Sequence, residues 1–428
     1  METNRRNFLH TAGTTGLAAT ALGLIGNARA ALAQELAEPN FVNQGKVDFD
    51  KLGEHFTIDP KVTYLNHASI GATPAPVQEA RARYLSVCEK NPWLYMWSGE
   101  WDEPREVVRR QAAEVLGCLA EEVAITHNTT EMFNTLANGL PLRQGDEVLF
   151  SSLNHSGASV AFEHASERLG YKTRRFEFPD NQPETYTTAR TIERYVEQIK
   201  PETRMLVLPH VDNTIGLRHP VAEIARAARA KGVEFIAVDG AQTVGAMPLD
   251  LKTLGVDAYA TSAHKWLGAP KGIGLAYVSK KLLPLLSPMW VTWGLKRWRD
   301  SARAYEDYGT RNLAEVISLG DAIQFHQQID DTEREQQLIR LREYIRDRAT
   351  ASKHLSFASA TEAASGSAVN LVTLKQGDAP QVARKLFAEH GIVVRPFKSK
   401  SLNAVRLSPN VYTSTKQIDR FFEQVERL

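Results

Sequence analysis

The sequence predicts an α/β fold with a large, mostly parallel sheet and a smaller C-terminal α+β domain. Two observations indicate this fold. Between residues 75 and 310, short apolar runs alternate with amphipathic stretches, which is typical of parallel strands covered by helices. From residue 311 onward, a long charged helix is followed by short strands and two further helices. The 428 residues, 43% of them hydrophobic, can bury a core of this size.

The elements follow from local patterns taken in chain order. In the large domain the sequence predicts strands at 123–126, 147–150, 205–208, 235–238, 258–261 and 274–278, and helices at 131–140, 157–169 and 220–230. In the small domain it predicts helices at 333–350, 379–390 and 415–428, and strands at 370–373, 393–396 and 405–407. Ligands on such sheets bind at the carboxyl ends of the strands, so functional residues are expected there.

The first 33 residues differ from the rest. Arg5 and Arg6 precede a weakly apolar run over 14–26, and small residues then form two A-x-A-like cleavage points. The run is too short to cross a bilayer, so the pattern indicates a secretory signal, and the paired arginines resemble a twin-arginine (Tat) signal. We expect the Tat machinery to export a periplasmic protein without a stable membrane anchor, in which 34–74 forms an N-terminal segment. The alternative for residues 1–33 is an ordinary N-terminal helix.

Charge and cysteine content exclude several classes of function. The formal net charge is +1 and no run is rich in Lys or Arg, so the sequence gives no electrostatic basis for binding nucleic acid. Two cysteines, Cys88 and Cys118, allow one disulfide at most, and their spacing offers no metal cluster. We therefore expect no metal site.

Asp239 stands directly after the apolar run 235–238. A carboxylate at the end of a buried strand is costly unless a cation meets it. A pyridinium nitrogen is such a cation, and Gln242, three residues on, is placed to contact a neighbouring ring oxygen. A helix cap is the competing interpretation of Asp239.

Lys265 also follows a predicted strand and precedes a turn rich in Gly and Pro, where a surface lysine is poorly placed. Lysine forms a Schiff base with an aldehyde, and partial burial lowers its pKa toward the range this needs. Ser262 and His264 flank it with groups suited to a phosphate. Thr129 and Thr130 lie where a strand ends and a helix begins, a second place for phosphate, although a simple threonine N-cap is the alternative.

Six motifs occur in the order seen in class V aminotransferases: Thr-Thr-Glu at 129–131, Asn-His at 154–155, His-Val-Asp-Asn at 210–213, Asp-Gly-Ala-Gln at 239–242, Ser-Ala-His-Lys at 262–265 and Tyr-Gly-Thr at 308–310. Over residues 60–412 the chain resembles this family of fold-type I PLP-dependent transferases, most closely its isopenicillin N epimerase and cysteine desulfurase branch. The resemblance implies pyridoxal 5′-phosphate (PLP) as cofactor and a homodimer with composite sites. The substrate it implies is a small-molecule or peptidyl amino acid, attacked at its α-carbon.

The resemblance also assigns roles to residues. Lys265 carries the cofactor and moves the α-proton, Asp239 holds the pyridinium nitrogen, and His155 stacks on the ring. Arg406 clamps the substrate carboxylate, with Asn66 assigned to the substrate beside it. The residues implied to bind the cofactor are Thr129, Thr130, His155, Asn213, Asp239, Gln242, Ser262, His264, Lys265 and, from across the dimer interface, Thr310.

The chain departs from its relatives in two places. Cysteine desulfurases need a thiol shortly before the carboxylate-binding arginine, and 393–405 contains no cysteine, so persulfide chemistry is disfavoured. Asp212 stands where relatives often carry serine, and the sequence does not explain it.

The sequence leaves the outcome at the α-carbon open among epimerisation, transamination, lyase chemistry and decarboxylation. Export together with the family makes tailoring of a pyoverdine siderophore side chain an alternative. A catalytically silent PLP-fold binding protein is the alternative from another class. Retention of Lys265 and Asp239 and the absence of a DNA-binding segment argue against that last reading.

Overall fold

The structure is a computed structural model that describes residues 40–427 except 44 and 180. The export signal predicted for residues 1–33 therefore lies outside the described residues. No helix in the described part is long and apolar enough to span a bilayer.

The strands are β1 (Val42–Asn43), β2 (Lys46–Val47), β3 (Thr63–Tyr64), β4 (Val123–Thr126), β5 (Glu147–Ser151), β6 (Lys172–Phe176), β7 (Thr203–Pro209), β8 (Phe235–Asp239), β9 (Ala258–Thr261), β10 (Gly274–Val278), β11 (Leu355–Phe357), β12 (Asn370–Leu374), β13 (Ile392–Val393), β14 (Arg395–Lys398) and β15 (Asn403–Leu407). The helices are α1 (Phe49–Gly53), α2 (Ala75–Lys90), α3 (Pro92–Met96), α4 (Asp102–Leu116), α5 (Thr129–Gly139), α6 (Ser156–Leu169), α7 (Thr188–Gln198), α8 (Val221–Ala230), α9 (Trp293–Arg297), α10 (Leu313–Gln327), α11 (Asp331–Ala351), α12 (Ala379–His390) and α13 (Thr415–Val425).

The large sheet has seven strands in the order β4-β10-β9-β8-β7-β5-β6. Strands β9, β8, β7, β5 and β6 run parallel, whereas β10 is antiparallel to both of its neighbours. Alternate residues of β8 enter separate cores on the two faces: Ile236 and Val238 on one, Phe235 and Ala237 on the other. Burial on both faces explains why the central strands, such as β8, are continuous apolar runs. The predicted α/β class with a mostly parallel sheet is confirmed.

The C-terminal part contains a four-stranded antiparallel sheet in the order β11-β12-β15-β14. Its apolar cluster includes residues of α11, α12 and α13, and also Leu65 from the N-terminal segment. Strand β3 of that segment pairs in parallel with β13. Residues 63–65 are thus tied to the C-terminal part of the chain, while α10 packs on α2 and α4. The domain limits 75–310 and 311–428 stay a prediction.

A buried ion pair connects α4 to the segment before residue 310. The guanidinium of Arg109 donates to both carboxylate oxygens of Glu306 at 2.5 and 2.9 Å, and both side chains are almost fully buried. Glu306 also accepts from the backbone N–H of Ile125 in β4 at 2.5 Å. Removal of one partner would leave a charge buried without compensation.

We expect Arg109→Ala to lower the free energy of unfolding by about 3–5 kcal/mol, because Glu306 would remain buried and unpaired. Urea denaturation of the full chain measures this change. Arg110→Ala is the matched control: the exposed Arg110–Glu103 pair should contribute less than ~1 kcal/mol. Equal losses in the two variants would contradict the structural role of the buried pair.

Candidate active site

A cavity of about 390 Å³ opens at the carboxyl ends of β7, β8 and β9. Ten predicted site residues line it: Thr129, Thr130, His155, Asn213, Asp239, Gln242, Ser262, His264, Lys265 and Arg406. Asn66 is absent from the lining but contacts Arg406 directly. Thr310 lies elsewhere, in a second cavity. The fold therefore brings together residues that are up to 277 positions apart in the chain, from Thr129 beside the large sheet to Arg406 in the C-terminal sheet.

Lys265 lies in the turn that follows β9. Burial lowers the pKa of Lys265 to about 8, the Asp239 carboxylate opposes this shift, and the charge of Arg406 adds to it. A neutral amine is the form that attacks an aldehyde, so the shift prepares this lysine for a Schiff base near neutral pH. Gly71 lies against this turn and donates its N–H to the carbonyl of His264 at 3.1 Å.

Asp239 ends β8 and is 5% exposed. One carboxylate oxygen accepts the N–H of Ala241 at 2.9 Å. Burial raises the pKa of Asp239, and this hydrogen bond and the charge of Lys265 oppose the rise. In the described part of the chain, no Lys, Arg or His forms an ion pair with this carboxylate within 4.0 Å. A buried anion without a cationic partner fits the protonated nitrogen of a pyridinium ring.

A second group of polar atoms gathers at the N-terminus of α5. The hydroxyls of Thr129 and Ser262 lie 2.9 Å apart, and the N–H of Thr129 points to the same Ser262 oxygen at 3.4 Å. The helix cap is Asn128, which accepts from the N–H of Glu131, so the threonine N-cap alternative was wrong. Thr129 and Thr130 instead occupy the first turn, where free N–H groups favour an anion.

Within the described residues, His264 and His155 each form one hydrogen bond through a ring nitrogen, which leaves the other ring nitrogen available. His264 Nδ1 lies 3.0 Å from the carbonyl oxygen of Ile273 and must donate to it. His155 Nδ1 accepts the N–H of Gly157 at 3.0 Å, which makes His155 the cap of α6. The cap holds the imidazole at the wall of the cavity, as stacking on a ring requires.

Gln242 is more engaged with protein than the sequence indicated. Its Nε2 donates to the carbonyl of Ala68, and its Oε1 accepts from the indole N–H of Trp266, each at 2.9 Å. One amide N–H remains for a ring oxygen. The side chain also joins the N-terminal segment to the turn that carries Lys265.

Arg406 in β15 is 2% exposed and is held by neutral groups. It donates to the carbonyl of Asn213 at 2.6 Å, to Asn66 Oδ1 at 2.9 Å and to Ser69 Oγ at 2.6 Å, while its Nε has no partner in the described chain. Burial lowers the pKa of Arg406 to about 10, so it stays cationic at neutral pH. A buried guanidinium without a carboxylate partner fits a clamp for a substrate carboxylate.

The structure explains Asp212. Its buried carboxylate accepts the N–H groups of Thr214, Ile215 and Leu217 at 2.7–2.8 Å. Burial raises the pKa of Asp212 to about 6, although these N–H groups oppose the rise. Asp212 therefore folds the loop after β7 that presents the carbonyl of Asn213 to Arg406.

Sequence reasoning missed two residues that line the cavity from β14, Arg395 and Phe397. The signal was present but weak: an arginine and an aromatic residue two positions apart in a short strand project to the same face. The predicted strand at 393–396 was displaced, because residues 392–393 pair with β3 and 395–398 pair with β15.

Together these groups fit PLP: a carboxylate for the ring nitrogen, an amine for the aldehyde, and hydroxyls with a helix N-terminus for the phosphate. Within the described residues, no group of three or more metal-ligating side chains occurs.

In PLP-free protein, we expect acylation of Lys265 by acetic anhydride to follow a titration curve with a midpoint near pH 8, because only the neutral amine reacts. Peptide mass spectrometry at a series of pH values measures the midpoint. Asp239→Asn should move it to lower pH, since the anion that opposes the shift is gone. A midpoint near the ordinary lysine value of about 10.4 would contradict the burial of this amine.

Comparison with known proteins identifies the family. The model of the class V aminotransferases matches residues 63–421. The isopenicillin N epimerase of Streptomyces clavuligerus is 26% identical over 408 residues, which cover 89% of this chain and 98% of that protein. A cysteine desulfurase of Klebsiella pneumoniae is 31% identical over 323 residues, 70% of this chain and 76% of that one.

Two solved structures share the fold. A C-DES variant with glycine covalently linked to its PLP cofactor superposes with a TM-score of 0.79 at 24% identity, over 87% of this chain and 98% of that one. A cysteine desulfurase from Escherichia coli gives 0.76 at 22% identity, over 89% and 98%. The chain therefore belongs to the class V aminotransferase family and is a PLP-dependent enzyme of fold type I.

Proposed function

We propose that this enzyme labilises a bond at the α-carbon of an amino acid or peptidyl amino acid, as an isopenicillin N epimerase-like member of its family. One observation carries the proposal: Lys265, Asp239 and Arg406 line a single cavity. They offer an amine for the aldehyde, an anion for the ring nitrogen and a cation for the substrate carboxylate. The length match to the epimerase, 98% of that protein, supports the same branch.

PLP bound at this site supplies a protonated ring that accepts electrons from the α-carbon. Asp239 keeps the ring nitrogen protonated because its buried carboxylate is stabilised by that charge. Arg406 fixes the substrate carboxylate and so orients the bonds of the α-carbon. Lys265 Nζ, with its lowered pKa, accepts the α-proton and returns it.

The positions of the cysteines support this proposal over persulfide chemistry. Cys88 lies in α2 and Cys118 follows α4, and neither lines the cavity. Burial raises the pKa of the Cys118 thiol to about 12 and also raises that of Cys88, so neither is a ready thiolate.

A second candidate is the tailoring of a pyoverdine siderophore side chain by transamination or decarboxylation after Tat export to the periplasm. The paired Arg5 and Arg6 support export, and the exposed positions of His155 and Arg395 at the cavity leave room for a peptide-linked substrate.

In a strain without the Tat translocase, the enzyme should stay in the cytoplasm with its leader attached. Export that continues unchanged in that strain would refute this part of the proposal.

We further propose a homodimer. Thr310 lines a second cavity of about 370 Å³ beside Trp97 and Trp293, which are 65% and 76% exposed. Large exposed aromatic side chains around one cavity favour a protein contact. Tyr308 donates to Glu131 Oε1 at 2.9 Å, which ties this segment to the first turn of α5. A monomeric mass for the PLP-loaded enzyme in analytical ultracentrifugation would contradict the dimer.

We expect the PLP-loaded enzyme to exchange the α-proton of its substrate with deuterium in D₂O, as followed by proton NMR over a panel of free and peptidyl amino acids. Lys265→Ala should abolish exchange, and Asp239→Asn should slow it by roughly 10²–10⁴-fold, the range for a lost acid–base contribution. Lys271→Ala is the control, since that lysine bonds to Thr73 outside the cavity. A protein that binds PLP but exchanges no substrate proton would favour the catalytically silent alternative.

Gly71→Ala should reduce PLP occupancy strongly, because an added Cβ would lie 1.7 Å from the carbonyl oxygen of Lys265 and displace the turn. Occupancy is measured as a ratio of two absorbances: that of the Schiff-base cofactor at about 410 nm and that of the protein at about 280 nm. Gly53→Ala is the control, because its Cβ meets only ordinary contacts with Tyr412 at 3.6 Å and beyond. Normal occupancy in Gly71→Ala would show that the turn tolerates displacement.

A further inference from the structure

Two arginines face the same cavity from neighbouring strands. Arg395 in β14 lies directly opposite Arg406 in β15 in the antiparallel register, and both line the cavity. Directly opposed residues of an antiparallel pair project to the same face, where like charges are destabilising. The guanidinium carbons of Arg395 and Arg406 lie 6.0 and 5.8 Å from the centre of the Phe397 ring, so one aromatic side chain adjoins both cations.

No carboxylate among residues 40–427, as far as the structure describes them, neutralises Arg395. It is exposed at the cavity and forms no ion pair or hydrogen bond with another described residue. Its charge nevertheless acts within the site, since it lowers the pKa of both Arg406 and His155, in each case as a contribution secondary to burial. Two opposed cations without an anion between them are what a site for two anionic groups requires.

The other charges in the cavity are already engaged. Asp239 and Lys265 are assigned to the cofactor. Asp212 is held by backbone N–H groups. The phosphate group of PLP is matched by the separate cluster at the start of α5. The two arginines therefore remain for the substrate, and Arg406, the buried one, is the arginine assigned to the α-carboxylate.

We propose that Arg395 binds a second carboxylate of the substrate, so that this enzyme acts on acidic amino acids or on peptidyl substrates that carry a further carboxylate. This inference rests on the proposed function, because it assigns Arg406 to the α-carboxylate. The planar guanidinium suits a carboxylate as a fork. The exposed position of Arg395 places the second carboxylate toward the solvent side of the cavity, away from the buried Arg406.

The test is a titration of the bound-cofactor absorbance of the PLP-loaded enzyme with matched pairs: aspartate against asparagine and glutamate against glutamine. Each pair differs in charge but scarcely in shape. For at least one pair, the acid should bind about tenfold or more tightly than the amide, the size of a charge-assisted contact. Arg395→Gln should erase this preference and leave the affinity for the amide unchanged. Added salt should weaken the binding of the acid more than the binding of the amide.

Lys398→Gln is the matched control. It removes the same charge from the same strand, but residue 398 projects to the opposite face and pairs with Asp378 at 3.6 Å. The preference for the acid should persist in this variant. Equal affinity for acid and amide in the unmodified enzyme overturns the proposal. An equal loss of affinity for both ligands in Arg395→Gln also overturns it, because that result would place Arg395 on the α-carboxylate. An absorbance that responds to no amino acid, free or peptidyl, overturns the proposed function as well.

Discussion

The structure depends on a carboxylate and an amine that share a cavity without forming an ion pair. Asp239 ends β8 and Lys265 lies in the turn after the adjacent parallel strand β9, and in the β8–β9 register Asp239 lies opposite Ala260. Burial disfavours the charge on each: it raises the pKa of the carboxyl and lowers the pKa of the amine. Each group opposes the shift of the other. PLP would suit both groups, because a protonated ring nitrogen would give Asp239 a cationic partner and Lys265 would hold the aldehyde through its neutral amine.

Residues 66–71 of the N-terminal segment contact residues of both the large sheet and the smaller sheet around this pair. Ala68 accepts from Gln242, and Gly71 donates to the carbonyl of His264, beside Lys265. Asn66 and Ser69 accept from Arg406 in the smaller sheet. A stretch of six residues thus touches both the cofactor side and the substrate side. A displacement of this segment would therefore move residues on both the cofactor side and the substrate side of the cavity.

The sequence predicted that Asp239 and Lys265 lie at the carboxyl ends of neighbouring strands, because the determinants of that placement are local. Asp239 ends one apolar strand and Lys265 lies in the turn after the next, and that placement follows directly from hydrophobic pattern and parallel topology. The first turn of α5 was predicted too late, at 131 instead of 129, because Asn128 and not a threonine is its cap. Strand β6, with the basic sequence Lys-Thr-Arg-Arg-Phe, was missed because an edge strand lacks the apolar run that marks central strands.

Contacts between distant segments were beyond the reach of the sequence. Nothing near Asp212 indicates that its carboxylate gathers three N–H groups, since those partners depend on how the loop closes. The hydrogen bonds of Arg406 to Asn66 and Ser69 join residues more than 330 positions apart. The facing of Arg395 and Arg406 likewise exists only through the β14–β15 register, in which a shift of one residue would turn one of them away.

Borohydride reduction of the PLP-loaded enzyme, followed by peptide mapping with mass spectrometry, tests the central claim most directly. A phosphopyridoxyl group on the peptide that contains Lys265, at that residue, is the predicted result. A modification at the neighbouring Lys271, or no modification of any lysine, would contradict the pairing of the Lys265 amine with Asp239 in one cofactor site.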